Sequence, residues 1–256
     1  GNVVLLQNFL GGLDEEWFVL IHIDIEAKAG PGLVGLVQAH NAARDNMPDD
    51  VLQGLHALAA AQEAMRETLL RMPERCDPYI YYSRVRPYIH GWKNSPSLPQ
   101  GVVYEGVADY AQRPQQFRGE TGSQSSIVPA LDAGLGIPHA DDPLTQYLVE
   151  MRDYMPPRHR TFLAALEART DEQHRPLLYG YARDRKATHP DLWKAFCTCV
   201  DLLAQFRDIH IGYAERYIFQ QHQSHASNPT AVGTGGTPFM PYLSKHLEET
   251  KRFTLD

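Results

Sequence analysis

Residues 204–218 read "AQFRDIHIGYAERYI", and they set a histidine and an arginine inside an apolar helical pattern. The spacing predicts a helix whose inner seam runs Phe196, Val200, Leu203, Phe206, His210, Tyr213 and Tyr217. Arg207 lies about one turn before His210 on nearly the same face. A buried imidazole needs a partner for each nitrogen, and a buried guanidinium needs an anion.

Two readings answer that demand. In the plain one, His210 is a core histidine hydrogen-bonded to backbone. In the chemical one, a single prosthetic group serves both residues, because haem offers iron to an imidazole and propionates to an arginine. An all-helical fold can hold such a group between its helices.

Other chemistry is thinly represented. The remaining histidines form no H-E-x-x-H pair or other metal-spaced cluster, and they sit mostly in polar settings, His22 being the clearest exception. There is no G-x-S-x-G elbow and no P-loop, and "GTGGT" at 233–237 does not follow a strand. Ser125 and Ser126 have no base at a defined spacing and read as helix-capping residues. Cys197 and Cys199 are two apart on a predicted helix and point to different faces, as small core or boundary residues do.

The balance of charge narrows the partners. Acids outnumber bases 31 to 24 without a basic stripe, which argues against nucleic acid. No run of eighteen apolar residues exists to span a membrane, and no signal peptide is visible. Three cysteines in 256 residues suit a reducing, cytoplasmic setting. The opening "GNVVLLQNFLGG" reads as the middle of a protein rather than its start.

The elements that must position these residues are helical. Residues 14–28 are apolar, Gly30, Pro31 and Gly32 interrupt them, and 33–45 resume the pattern. A helix at 48–72 opens with Pro48, Asp49 and Asp50. Residues 77–93 predict a short helix broken near Pro87, and 94–123 a long connection. "GSQSSIVPALDAGLGIPH" reads as a polar turn entering a helix, followed by helices at 141–154 and after the double proline at 156–157. Residues 189–222 form the longest predicted helix, "HQSHASNPTAVGTGGT" a flexible stretch, and 238–253 a last helix. The expected architecture is all-α, a single helical domain over 1–256.

Five stretches in order resemble the indoleamine 2,3-dioxygenase family: "RVRPYIHGWKNSPSLPQGVVYEG", "GSQSSIVPALDAGLGI", "MRDYMPPRHRTFLAALE", "FRDIHIGYAERYI" and "GTGGT". They span residues 84–237. The resemblance implies an all-helical haem b enzyme that opens the indole 2,3-bond of L-tryptophan, or of a related indoleamine, with dioxygen. The product is N-formylkynurenine, and the reaction is the first step of the kynurenine pathway. It also implies a monomer, and a smaller N-terminal domain that this chain is expected to lack.

By the same resemblance His210 is the proximal iron ligand, Arg207 meets a propionate and Asp132 joins the proximal hydrogen-bond network. Arg86 holds the substrate carboxylate, with Tyr81 and Tyr82 near the indole. Thr121, Gly122 and Ser123 form a turn over the open haem face, Phe18 and His22 stand above it, and Thr234 belongs to a closing loop. No side chain is implied as an obligatory acid or base. The chain departs from the family's pattern at Tyr81 and Tyr82, where phenylalanine is usual, and at Thr121 and His22, where serine is common. His22 is similar instead to the distal histidine of the related tryptophan dioxygenases. Tyr81 and His22 keep open a related haem enzyme that acts on a tryptophan derivative without ring cleavage, and the family resemblance leaves a second alternative, a dioxygen-binding haem protein without catalysis.

Overall fold

The structure is a computed structural model that describes residues 3–224 and 240–254. Its helices are α1 (Leu13–Arg44), α2 (Pro48–Leu70), α3 (Pro78–Ile80), α4 (Arg86–Ile89), α5 (Ile127–Leu135) and α6 (Pro143–Met151), then α7 (Pro157–Glu167), α8 (Leu177–Asp184), α9 (Pro190–Ala214), α10 (Gln220–Ser224) and α11 (Met240–Arg252). A π-helical turn, Tyr81–Val85, joins α3 to α4, and a second, Glu215–Phe219, joins α9 to α10. Among the described residues, β structure amounts to two isolated bridges, Val102 with Gln115 and Thr170 with Pro176. The all-α expectation holds. No described helix is long and apolar enough to cross a membrane.

α1 packs along α2, α2 against α9, and α9 against α11. The first of these contacts overturns a predicted break. α1 runs unbroken through Gly30, Pro31 and Gly32. Pro31 and Ala27 are exposed, so the carbonyl that loses its helical partner lies on the wet side. The glycines serve close approach instead. A Cβ on Gly35 would stand 2.7 Å from the Gly54 carbonyl oxygen of α2, and one on Gly32 would stand 2.6 Å from the Ala61 methyl.

The break expected near Pro87 is also absent. The π-helical turn ends at Val85, so Pro87 falls in the first turn of α4, where a missing N–H costs nothing. Sequence periodicity passed over α8, a short helix with Gly180 at its centre. Asp171 and Arg175 crowd that glycine, and Arg175 pairs with Asp184 at 2.6 Å. Asp142 caps α6, accepting from the Leu144 and Thr145 amides at 2.9 and 3.0 Å.

One buried cluster draws Leu36 from α1, Leu55 and Leu58 from α2, Leu135 from α5, Leu178 from α8, and Phe196 and Val200 from α9. The long connection folds back on itself. The Trp92 and Lys93 amides both donate to the Phe117 carbonyl, at 3.1 and 3.0 Å, and Trp92, Tyr104, Tyr110 and Phe117 pack ring to ring inside the loop. Arg118 pairs with Glu150 of α6 at 2.6 Å, and Lys93 pairs with the same carboxylate. The Glu120 amide donates to the Ile89 carbonyl at 2.9 Å, which pins residues 120–123 beside the end of α4.

Candidate functional site

At that end of the bundle the helices part around a cavity of about 230 Å³. Its walls come from α1 (Phe18, His22), the first π-helical turn (Tyr81), the turn Thr121–Ser123, α6 (Leu144, Tyr147), α9 (His210, Tyr213), the second π-helical turn (Tyr217, Ile218) and α11 (Leu243, His246). Most of this surface is aromatic or aliphatic.

His210 reaches the cavity from the predicted seam of α9. The ring is open to the cavity but set deep among protein atoms. It makes no hydrogen bond among the described residues. Burial first, then His22 and Arg207 nearby, push its pKa down to about 4. The imidazole is therefore neutral near pH 7, and one of its ring nitrogens keeps a lone pair.

His22 lines the same cavity, and its Nδ1 lies 2.7 Å from the Phe18 carbonyl. A carbonyl only accepts, so Nδ1 carries the proton and Nε2 keeps its lone pair. Burial lowers this ring's pKa as well. Phe18 packs on His22 at 4.5 Å and on Tyr81 at 4.7 Å. Tyr81 meets Tyr217 edge-on at 5.8 Å. The Tyr217 hydroxyl donates to the Cys76 carbonyl at 2.7 Å and the Tyr213 hydroxyl to that of Leu70 at 3.3 Å, so two of the polar tips are held by backbone. Thr121 Oγ1 accepts from the Ser123 amide at 3.3 Å and fixes the turn that carries Gly122.

Arg207 and Asp132 stand behind the wall rather than in it. Arg207 Nη2 lies 2.6 Å from Asp132 Oδ2, and Nη1 donates to Thr250 Oγ1 at 2.6 Å. The anion that a buried arginine needs is thus supplied by α5. Burial works against the Asp132 charge, but Arg207 and then His139 more than offset it and hold the carboxyl below its ordinary value. Asp132 bonds to Arg207, not to His210.

Arg86 and Tyr82 are buried beside the cavity without lining it. The Arg86 guanidinium lies 5.4 Å from the Tyr82 ring centre, and the Tyr82 hydroxyl is 3.3 Å from His222 Nδ1. Thr234 lies outside the described residues. Ser125 does cap, its Oγ accepting from the Ile127 amide at 3.2 Å, whereas Ser126 pairs with His159 at 2.8 Å.

The cavity also includes residues that sequence reasoning missed. Glu120, Tyr147 and His246 line it. Tyr147 and His246 come from helices brought in by the tertiary fold, and only an i, i+3 pairing of His246 with Glu249 hints at one of them.

The cavity suits a flat, largely apolar group that carries a metal. Two neutral imidazoles line it, that of His210 without a hydrogen bond among the described residues, and charged side chains stand close behind. Comparison with known proteins agrees in kind. A family model described as indoleamine 2,3-dioxygenase matches residues 1–253. The chain is 35% identical to indoleamine 2,3-dioxygenase 2 of Mus musculus, over 97% of its own length and 61% of that protein's. It is 33% identical to indoleamine 2,3-dioxygenase 1 of Rattus norvegicus, over 99% and 62%. It is 30% identical to a myoglobin of Haliotis madaka, over 98% and 64%. The chain thus spans a little over three-fifths of the length of these relatives.

Proposed function

The chain belongs to the indoleamine 2,3-dioxygenase family, and from that premise we propose that it is the haem-binding catalytic part of a dioxygenase that opens the indole ring of L-tryptophan, or of a close indoleamine, to give N-formylkynurenine. The observation that carries this reading is His210, a neutral imidazole on a cavity wall with no hydrogen-bond partner among the described residues. His210 holds the iron. Arg207, with two of its N–H groups spent on Asp132 and Thr250, keeps others for a propionate. Haem, when bound, supplies the redox-active iron for chemistry with dioxygen.

The chain's own residues bind, orient and exclude water. Arg86 is suited to a substrate carboxylate, since its planar fork pairs with two oxygens. Phe18 and Tyr81, with Tyr82 behind, form an aromatic wall for the indole, and Thr121, Gly122 and Ser123 close the floor. His22 Nε2 can accept a hydrogen bond from the indole N–H. Asp132 orients Arg207. The protein works in the cytoplasm as a monomer with reduced cysteines.

The test is an absorption spectrum of the reduced protein with and without carbon monoxide, for the wild type and His210→Ala. A Soret band that shifts with carbon monoxide in the wild type and weakens in the variant is expected. L-Tryptophan added under air should then yield the near-ultraviolet absorption of N-formylkynurenine. The relative named a myoglobin raises a second reading, a haem protein that holds dioxygen without turnover. A stable oxygenated spectrum that tryptophan leaves unchanged would favour it.

A further inference from the structure

We propose that His139, His246 and Glu249 form a site for a divalent transition cation of borderline character, with Zn²⁺ as the natural probe. One potential ligand atom from each lies within 4.8 Å of the others. His246 and Glu249 are one turn apart on α11. His139 comes from the segment after α5, and its ring stacks on that of His246 at 4.0 Å. His139 Nδ1 is 2.7 Å from Glu249 Oε2.

A charge network alone accounts for half of this cluster. His139 bridges Glu249 and Asp132, and although burial opposes its charge, the two carboxylates raise its pKa. His246 is left unexplained. It is 7% exposed, and its Nε2 has no hydrogen-bond partner among the described residues. Burying an unpaired imidazole nitrogen beside two other donors is costly unless something binds there.

The donor set selects the ligand class. Two imidazoles and one carboxylate suit Zn²⁺, Co²⁺ or Ni²⁺, whereas Mg²⁺ and Ca²⁺ prefer oxygen throughout. Bonds of about 2.0–2.2 Å require the donors to draw together by roughly 1 Å, which ring rotation supplies. Asp132 is already placed for support. Its Oδ2 lies 3.3 Å from His139 Nε2, within ion-pair reach though not aligned as a hydrogen bond. With Nδ1 on the cation, the Nε2–H would turn to that carboxylate, the usual second partner of a ligating histidine. Three protein ligands leave a fourth position for water. Lys245, 3.8 Å from Glu249 Oε1, tempers the affinity, which is expected in the micromolar range.

The inference does not rest on haem. The whole chain, stripped of adventitious metal with a chelator, is titrated calorimetrically with Zn²⁺ and optically with Co²⁺. One cation per chain and a visible d–d band for Co²⁺ are expected. His246→Leu and Glu249→Gln should each weaken binding more than about 100-fold, since outer partners alone are worth roughly 10–100-fold. His159→Ala should not change it. Glu249→Gln keeps the size and shape of the side chain and guards against a folding failure in His246→Leu. No stoichiometric uptake, unchanged affinity in both variants, or binding that disappears only in His210→Ala would overturn the proposal.

Discussion

The two halves of α9 follow the same apolar spacing and meet opposite fates. In the first half, Phe196, Val200 and Leu203 are sealed against α2 and the rest of the core. In the second, His210 and Tyr213 keep the spacing but face a cavity. Periodicity records which way a side chain points, not whether protein waits there. A site can be the stretch where the pattern continues and the protein partner does not.

That division can be broken by substitution. The largest effect is expected from His210→Ala, which should weaken the carbon-monoxide-sensitive Soret band and reduce N-formylkynurenine formation to background. The urea midpoint of the haem-free chain should hardly move, because no hydrogen bond is lost. Phe196→Ala should do the reverse, costing about 3–5 kcal/mol in urea unfolding while the Soret position stays put. A variant of either residue that moved both readouts equally would undo the contrast.

The sealed region carries its own sensitivity to acid. His40 in α1 is 1% exposed, its Nε2–H donates to the Gly134 carbonyl at 2.8 Å, and burial pushes its pKa down to about 4. The unfolded chain takes up this proton near pH 6.5, before the folded one does. Stability is therefore full above pH 6.5 and falls as pH drops toward 4, by about 3 kcal/mol at most from this ring. Urea midpoints at pH 7.5 and 4.5 should reveal the loss, and His40→Gln should shrink it.

Smaller effects sharpen the cavity side. Arg86→Leu should raise KM for L-tryptophan roughly 10- to 100-fold, the worth of a charge-assisted hydrogen bond, with the Soret maximum unchanged. Tyr81→Phe should change kcat/KM by no more than about tenfold, the value of one neutral hydrogen bond. A large loss there would mean that the phenol, and not only the ring, contacts substrate.

Much of the architecture was legible because helices announce themselves locally. The seam of α9 and the start of α2 at Pro48, Asp49 and Asp50 both follow from spacing and end residues. Pro31 misled because its effect depends on which side of α1 faces water, and a sequence does not state that. Gly32 and Gly35 read as breakers because their reason is the surface of α2, which lies elsewhere in the chain. Within the site, His210 was readable from one stretch alone. The Arg207 partner was not, since Asp132 is brought to it from α5. The cluster of His139, His246 and Glu249 was invisible for the same reason, with more than a hundred residues between His139 and His246.

The two π-helical turns, Tyr81–Val85 and Glu215–Phe219, each put a ring on the cavity wall, and those rings meet as Tyr81 and Tyr217. A π turn is an α-helix holding one residue too many. Deleting one residue from either turn would restore regular hydrogen bonding and swing everything beyond it by about 100° around the axis. The expected result is a more regular helix whose two sides no longer keep their register across the turn, so that Tyr81 and Tyr217 cannot both hold their places on the pocket wall. Two single-residue insertions, one in each of two separate helices, thus act together as a matched pair of spacers.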